Sequence, residues 1–230
     1  MYSHNEVESA RCWMPCMDRF SQPCTWSFQY RTLSCYTVVS SGELIGTESE
    51  ETDDMSDDPR SLTTYYYELK KPTSAKSIAI SAGIFEIYPD AVLPNVTYFC
   101  LPGKMPMLKH TTKFLHKAFL FYEQYLQSKF PYPSLKIVFV EHGYTKMSSF
   151  SGLAIMSGHL LHDEKIIDKT LKARWLLSLA VAIQWFGCAI GIKSWSDMWL
   201  RFGLPAHIAN LYFRELFGNN EHRLRRYKVC

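Results

Sequence analysis

The sequence predicts an α+β fold in which a part made of strands precedes a part made mostly of helices. Hydrophobic residues make up 47% of the 230 residues and aromatic residues 15%, so the chain has enough apolar side chains for a sizeable core. Apolar residues recur with a period of two before Pro102 and at helical spacing after it. Because strands come first and helices follow, two layers or two domains are the expected arrangement.

Alternation of bulky and polar residues predicts the strands of the first part. Residues 25–31 read TWSFQYR, and residues 65–69 and 77–80 alternate in the same way. A further strand is predicted at residues 85–88, shortly after a glycine. The segment 48–58 between them holds seven acidic residues and no basic one, so we expect a long solvated loop there.

Apolar residues spaced three and four apart predict three helices in the second part. Residues 104–130 have this spacing throughout and predict one long amphipathic helix. Residues 171–190 are apolar on nearly every side and predict a buried helix. A third helix is predicted at residues 197–217, with a kink at Pro205. Two further strands are predicted, at residues 135–140 and 152–156.

Cysteine usage and hydropathy bear on the cellular compartment. The seven cysteines are irregularly spaced, and the chain has neither an apolar leader nor a run of eighteen apolar residues. We therefore expect a reducing compartment, cytosol or nucleus, with no signal peptide and no membrane span. Cys12, Cys16 and Cys24 are candidate ligands of a structural zinc, but no fourth ligand is evident. We therefore expect buried, unreactive thiols.

The end of the predicted buried helix carries the most informative motif. Residues 178–187 read SLAVAIQWFG. In zinc peptidases two histidines four residues apart on a helix bind the metal, and a glutamate beside the first acts on the bound water. Peptidase family M1 has this H-E-x-x-H motif directly before Q-W-F-G. The residues that resemble its ending are Gln184, Trp185, Phe186 and Gly187. The resemblance assigns the histidine positions to Leu179 and Ile183 and the glutamate position to Ala180.

A second M1 pattern follows this motif. The family carries W-x-x-x-W-L-N-E-G, in which the glutamate is the third zinc ligand, and residues 195–203 read WSDMWLRFG. Trp195 and Trp199 match the two tryptophans of this pattern. The resemblance assigns the ligand position to Phe202. Leucine, alanine, isoleucine and phenylalanine have no side-chain atom that can bind a divalent cation. The resemblance therefore implies no metallopeptidase activity, no zinc and no other cofactor.

Three further stretches resemble the same family in the same order. Residues 10–18 look like its A-R-x-x-F-P-C-F-D signature, with the matching residues Arg11, Pro15, Cys16 and Asp18. Residues 130–140 resemble its P-Y-P-x-x-K strand, and residues 152–163 resemble the segment after its G-A-M-E-N exopeptidase motif. That motif itself falls on residues 146–150, which read KMSSF and lack the glutamate that grips a substrate's free amine.

The resemblance runs from about residue 10 to residue 225 and implies an M1-like architecture. It makes residues 1–101 the later part of an antiparallel β domain, with the acidic loop 48–58. It makes residues 102–230 the first part of a thermolysin-like, mostly helical domain with a degenerate zinc site. Because the family has further regions on both sides, we expect a fragment, a splice product or a truncated gene model.

Other motifs resemble a branch of the M1 family that has lost the zinc site and serves in a nuclear transcription-initiation assembly. They are RCWMPC at residues 11–16, FCLP at 99–102, LKHTT at 108–112, FLFYE at 119–123, FGCAI at 186–190 and WSD at 195–197. The resemblance implies a non-catalytic scaffold in the nucleus. Its expected partners are other subunits of that assembly and promoter DNA, with no membrane and no small-molecule substrate.

Three other hypotheses remain open. In the first, the chain is an inactive cytosolic aminopeptidase paralogue that binds peptides. In the second it is a fragment with no folded function, and in the third it is a live peptidase with substitute ligands. His159 and His162 are three residues apart, with Asp163 beside them, and two histidines at that spacing on a helix can share a metal. We expect instead a strand end and a loop with at least one exposed histidine, since no further ligand is evident nearby. The C-terminal cations are expected to be solvated and not bound to phosphate; they are Arg223, Arg225, Arg226 and Lys228.

Overall fold

Strands dominate the first hundred residues and helices the rest, so the predicted α+β class is confirmed. The structure is a computed structural model that describes residues 1–5, 9–50 and 61–229. The strands are β1 (Cys24–Leu33), β2 (Thr37–Ser40), β3 (Glu43–Ser49), β4 (Leu62–Thr73), β5 (Ile80–Gly83), β6 (Glu86–Pro89), β7 (Val96–Cys100), β8 (Leu135–Val140), β9 (Met147–Phe150) and β10 (Leu153–Ser157). The helices are α1 (Met105–Thr112), α2 (Leu115–Leu126), α3 (Asp168–Trp185) and α4 (Met198–Val229).

Two small antiparallel sheets are built from the first five strands. One has the order β1-β4-β3 and the other pairs β2 with β5. Strand β1 forms where alternation was predicted, and its burial alternates along the strand. Trp26, Phe28 and Tyr30 follow one another on one face and stack, with ring centroids 5.7 and 5.8 Å apart. This aromatic ladder shows why a period of two was visible in the sequence.

A mixed five-stranded sheet with the order β6-β7-β8-β10-β9 holds the candidate site. Its central strand β8 is parallel to both neighbours, β7 and β10. Every residue of β8 and β10 is buried, as is typical of parallel strands covered on both faces. Strand β9 pairs with β10 alone in the described part of the chain and therefore forms one edge of the sheet.

This sheet spans the predicted domain boundary between residues 101 and 102. Strands β6 and β7 precede that boundary, and β7 pairs with β8, which follows it. The division into residues 1–101 and 102–230 therefore stays a prediction, and a division drawn along the sheets would lie before β6.

The main core lies between the five-stranded sheet and the helices. It contains Tyr98 and Phe139 from the sheet, Tyr122 from α2 and Leu177 from α3. The Tyr122 hydroxyl donates to the carbonyl of Ser178 over 3.0 Å, so the one polar atom of this buried ring is paired. The core therefore fixes the position of α3, the helix that carries the QWFG motif.

The single helix predicted at residues 104–130 is wrong: two helices, α1 and α2, occupy that range. The Thr112 hydroxyl donates to the Leu108 carbonyl over 2.9 Å, a back-bond that bends helices, and α1 ends there. Helix α2 ends at Leu126 because Gln127 has a left-handed backbone with φ 49°. Hydrophobic spacing alone did not reveal either event.

Other boundaries also differ from the predictions. Residues 75–77 form a 3-10 helix closed by hydrogen bonds from Ser77 N and Ile78 N, so the strand expected at 77–80 begins only at Ile80. Helix α4 runs through Pro205 and leaves helical geometry at Gly218, where φ is 83°. Residues 51–58 of the acidic segment lie outside the described residues, and residues 48 and 49 belong to β3 and not to a loop. Within the described chain, no helix combines the length and hydropathy needed to cross a membrane.

Candidate functional site

The three positions assigned to the H-E-x-x-H motif lie near the end of α3. Ala180 and Ile183 are buried, with 1% and 8% of their surface exposed, and Leu179 is half-buried. Ile183 belongs to a second core cluster with Met14, Ile78, Tyr132 and Cys188, against which Leu179 also packs. The side chains at these positions therefore make apolar contacts.

Gln184, the next residue, is fully buried and every polar atom of its side chain is used. Its Nε2 donates to Ser149 Oγ over 2.7 Å and to the Phe150 carbonyl over 2.9 Å. Its Oε1 accepts from Gly152 N over 3.0 Å. Ser149 and Phe150 end β9 and Gly152 lies in the turn before β10, so Gln184 attaches α3 to the edge of the sheet.

The backbone after Gln184 closes the C-terminus of α3. The backbone amides of residues 187–190 donate to carbonyls over 2.9–3.1 Å. Three of these carbonyls belong to the last turn of the helix. Gly187 has a φ of 138°, and a Cβ there would lie 3.1 Å from Ile183 Cγ2. Burial raises the pKa of the Cys188 thiol to about 12, although Arg201 lowers it, so this thiol stays protonated.

The aromatic residues of the motif complete the packing. Trp185 is buried against Phe130 and Tyr122, with ring centroids 5.3 and 6.1 Å away. Its indole N–H has no hydrogen-bond partner within the described structure. Phe186 is half-buried at the edge of the main core. The QWFG tetrapeptide is thus accounted for by packing, turn geometry and hydrogen bonding.

The segment that carries the third assigned ligand position is much more open. Residues 195–197 form a 3-10 helix with a capping box between Ser194 and Asp197, and α4 begins at Met198. Phe202 is 52% exposed, Trp195 57% and Trp199 69%. Two of these aromatic side chains, those of Trp195 and Phe202, line a cleft of about 330 Å³. We call this space the α4 cleft.

The α4 cleft lies between the start of α4 and strand β9. Its lining includes Ser148, Ser149 and Phe150, which belong to the stretch assigned to the exopeptidase motif. The structure therefore brings that stretch and Phe202 together at one cleft. Phe202 does not close this cleft, because its ring remains largely exposed at the wall.

Sequence reasoning missed three residues that also line the α4 cleft: Asn5, Phe20 and Lys76. Lys76 is only 5% exposed, and its ammonium lies 3.3 Å from the centre of the Phe20 ring. The Asn5 amide accepts from Trp13 Nε1 over 2.8 Å and donates to the Lys76 carbonyl over 3.2 Å. Nothing in the local pattern around these residues marks them, because the contacts join distant parts of the chain.

The predicted landmarks near the N-terminus form a local structural pair. Asp18 Oδ2 accepts from Arg11 Nε over 3.3 Å and from Arg11 N over 3.4 Å. The Asp18 side chain is 3% exposed, whereas Pro15 is exposed and Cys16 half-buried. The expectation of buried thiols is wrong for Cys12 and Cys24, which are exposed. Cys12 ends the 3-10 helix of residues 10–12, and Cys24 is the exposed first residue of β1.

The two candidate histidines are separated by the structure. Residues 158–160 form a 3-10 helix that leaves His159 exposed and His162 buried. The His162 ring contacts the Leu160 carbonyl through Nδ1 and Thr170 Oγ1 through Nε2, at 3.0 and 3.2 Å. Across the described residues, no group of three histidine, cysteine, aspartate or glutamate side chains is arranged to hold a metal ion.

Sequence comparison agrees with this arrangement of elements. The model of the peptidase family M1 domain matches residues 110–229, more than half of the chain. The chain belongs to peptidase family M1. The matched part begins in α1 and includes α3, the cleft-forming start of α4 and the strands between them.

Similar proteins of known name fall into two groups. The chain is 42% identical to transcription initiation factor TFIID subunit 2 of Drosophila melanogaster and 40% identical to that of Danio rerio, each over 97% of this chain. It is 21% identical to a leucyl aminopeptidase of Saccharolobus solfataricus over 92% of this chain and 26% of that enzyme. The chain spans only 18% of the length of each TFIID subunit.

Proposed function

We propose that the chain is a non-catalytic M1 domain that acts as a scaffold within the general transcription factor TFIID, in the nucleus. The observation that carries this proposal is the identity of 40–42% to TFIID subunit 2 along 97% of the chain, about twice that to the aminopeptidase. Its partners would be other TFIID subunits, the TBP-associated factors. A contribution to preinitiation complex assembly and initiator recognition on promoter DNA is the finer part of the same proposal.

The side chains at the assigned zinc positions support the non-catalytic part of the proposal. Leu179, Ile183 and Phe202 offer no nitrogen, sulfur or oxygen ligand, and Ala180 offers no general base. Introducing Leu179→His, Ala180→Glu, Ile183→His and Phe202→Glu together should give no aminopeptidase turnover. The reason is that residues 146–150 still lack a group to hold a substrate's amine. Hydrolysis of an aminoacyl reporter by this variant would contradict the proposal.

Exposed apolar side chains near the α4 cleft support a role in assembly. Ile190, Trp195 and Trp199 are each more than half exposed, and Phe202 and Leu204 extend the series. Large exposed aromatic residues are enriched at protein interfaces because they bury much apolar area when a partner covers them. We therefore propose that this segment contacts another subunit.

A pull-down from nuclear extract tests the proposal. The tagged chain is used as bait, and captured proteins are identified by mass spectrometry. We expect TBP and its associated factors, with at least about tenfold less capture by Trp199→Glu, since a charge there opposes burial. Tyr227→Glu is the matched control, because Tyr227 is 82% exposed on a distant part of α4. Capture of chaperones alone would contradict the proposal.

A second candidate is an inactive M1 paralogue that binds peptides, and one observation favours it. The α4 cleft is open, and β9, an edge strand among those described, contributes to its wall. The unpaired backbone groups of an edge strand can pair with an extended peptide. This candidate predicts that labelled peptides bind the purified chain and that Ser148→Pro abolishes binding. The TFIID proposal predicts subunit capture that Ser148→Pro leaves intact.

A further inference from the structure

A second cavity, of about 460 Å³, shares no lining residue with the α4 cleft and lies at the end of β10 and the start of α3. Three lysines line it: Lys146 from the segment before β9, and Lys169 and Lys172 from the first turns of α3. The exposed His159 also lines it. None of the described residues that line this cavity is acidic. We call this cavity the lysine pocket.

Two of the lysines, Lys146 and Lys172, reach this pocket from separate elements, the segment before β9 and α3. Hydrogen bonding with Lys146, together with the charge of Lys146, lowers the pKa of Lys172. Two ammonium groups that line one pocket repel each other. An anion placed between them would remove the repulsion and gain two charge-assisted hydrogen bonds.

The floor of the lysine pocket adds neutral donors. Ser157 lines the pocket and is 5% exposed. Its Oγ accepts from His159 N over 3.4 Å, which leaves the hydroxyl hydrogen to be donated. Thr145 also lines the pocket and shares a hydrogen bond of 2.7 Å with Ser148 Oγ. Several donors on different elements therefore converge on one concave space.

These donors match a tetrahedral dianion. Phosphate monoesters carry nearly two negative charges and three acceptor oxygens, which suits three ammonium groups with a hydroxyl among them. A cavity of about 460 Å³ is larger than one phosphate group and has the size of a pocket for a small organic ligand. Nucleic-acid backbones are tracked by cations spread along a surface, whereas these cations converge in a concave pocket.

We propose that the lysine pocket binds a phosphate monoester carried on a larger molecule. The phosphate lies between Lys146 and Lys172, and Lys169 and Ser157 contact its remaining oxygens. Phosphoserine in a peptide and a small phosphorylated metabolite present the same chemistry, so both are sources of such a ligand. The site is independent of the zinc positions and of the proposed contact with TFIID subunits.

Binding of defined probes to the purified full chain tests this proposal. The probes are a fluorescent heptapeptide with a central phosphoserine, its unphosphorylated form, free O-phosphoserine and a labelled DNA duplex. Fluorescence anisotropy measures the labelled probes directly and O-phosphoserine by competition. We expect the phosphopeptide to bind at least about tenfold more tightly than the unphosphorylated peptide. Competition by O-phosphoserine at equal affinity also supports the proposal and identifies a small metabolite as the source.

A charge-matched pair of variants locates the site. Lys146→Gln/Lys172→Gln should weaken phosphopeptide binding at least about tenfold. Lys104→Gln/Lys117→Gln removes two exposed lysines elsewhere and should change it less than about twofold. Equal losses in both variants, equal binding of both peptides, or tighter binding of duplex DNA would overturn the proposal.

Nuclear magnetic resonance of the wild-type chain gives a readout that needs no variant. Adding the phosphopeptide should shift the side-chain signals of Lys146 and Lys172 and the amide of Ser157. Signals of Lys104 and Lys117 should stay in place. Absence of any shift at the pocket with millimolar phosphopeptide would overturn the proposal even if binding were seen elsewhere.

Discussion

The end of α3 and the start of α4, which carry the positions assigned to the zinc ligands of M1 peptidases, differ in how tightly their side chains are packed. At the end of α3, Gln184 is fixed by buried hydrogen bonds and Gly187 by a tight turn. At the start of α4, Phe202 occupies the position assigned to the third ligand and is 52% exposed. Gln184 and Gly187 are therefore accounted for by folding alone, whereas we expect Phe202 to contribute little to the stability.

Gln184→Leu is the variant in which we expect the largest effect on stability. Leucine has nearly the same volume but leaves Gly152 N and the Phe150 carbonyl without their side-chain partner. Leaving such buried groups unpaired should lower the free energy of unfolding by about 3 kcal/mol. Urea unfolding measures the change. Gln124→Leu, on the exposed face of α2, should change stability by less than about 0.5 kcal/mol. Equal changes in the two variants would remove the structural explanation of Gln184.

Gly187→Ala should have the next largest effect. A side chain at φ 138° is strained, and its Cβ would meet Ile183 Cγ2 at 3.1 Å and the Ile183 carbonyl oxygen at 3.3 Å. We expect a loss of about 2 kcal/mol in urea unfolding. Gly203→Ala is the matched control in α4, where a Cβ meets nothing within 4 Å. That control should gain about 0.5 kcal/mol, since alanine favours helix. A neutral Gly187→Ala would contradict the strained geometry.

A further test concerns the pH dependence of stability and the buried residue Lys136. This lysine lies in the stretch that resembles the family's P-Y-P-x-x-K strand. Burial lowers its pKa to about 7, although Glu43 raises it, and its ammonium donates to the Gly42 carbonyl. An unfolded lysine titrates near pH 10.4, at about its ordinary value. Between these values the unfolded chain holds the proton and the native chain does not, so stability should rise with pH.

The measurable consequence is the slope of the free energy of unfolding against pH. From about pH 7 to about pH 9, the contribution of Lys136 to the free energy of unfolding should rise by roughly 1 kcal/mol per pH unit. Lys136→Met should remove this slope, whereas Lys117→Met, on the exposed face of α2, should keep it. Urea unfolding in a series of buffers measures both. Parallel pH profiles for wild type and Lys136→Met would show that the buried lysine stays charged.

Phe202→Ser should have the smallest effect. Because the ring is largely exposed, we expect the free energy of unfolding to change by less than about 0.5 kcal/mol. Phe213→Ser, at a position of the same helix that is 1% exposed, should lower it by about 3 kcal/mol or more. Both are read from urea unfolding. If Phe202→Ser lowered the free energy of unfolding as much as Phe213→Ser, the Phe202 side chain would belong to the core, which would contradict this expectation.

The sequence predicted the fold class and the family because both depend on local patterns. The alternation in β1 and the apolar run of α3 are short-range signals that tertiary contacts reinforced. The break between α1 and α2 was missed because it depends on one hydroxyl back-bond at Thr112. Boundaries of this kind are set by single hydrogen bonds, which a hydrophobic period does not contain.

The candidate site was predicted only in part, for a similar reason. Aligning the motif found Phe202 and residues 146–150, and the structure brings both to the α4 cleft. Asn5, Phe20 and Lys76 were missed because they come from remote segments that meet the cleft only after folding. The lysine pocket was missed because Lys146 and Lys172 are 26 positions apart in the sequence and belong to separate elements.

The measurement that tests the central claim most directly is the zinc content of the purified chain, with aminopeptidase activity assayed in the same zinc-supplemented sample. The leucyl aminopeptidase of Saccharolobus solfataricus serves as the positive control. We predict no stoichiometric zinc and no hydrolysis of aminoacyl reporters, because Leu179, Ile183 and Phe202 offer no ligand atoms. One zinc per chain together with hydrolysis that a chelator abolishes would contradict it.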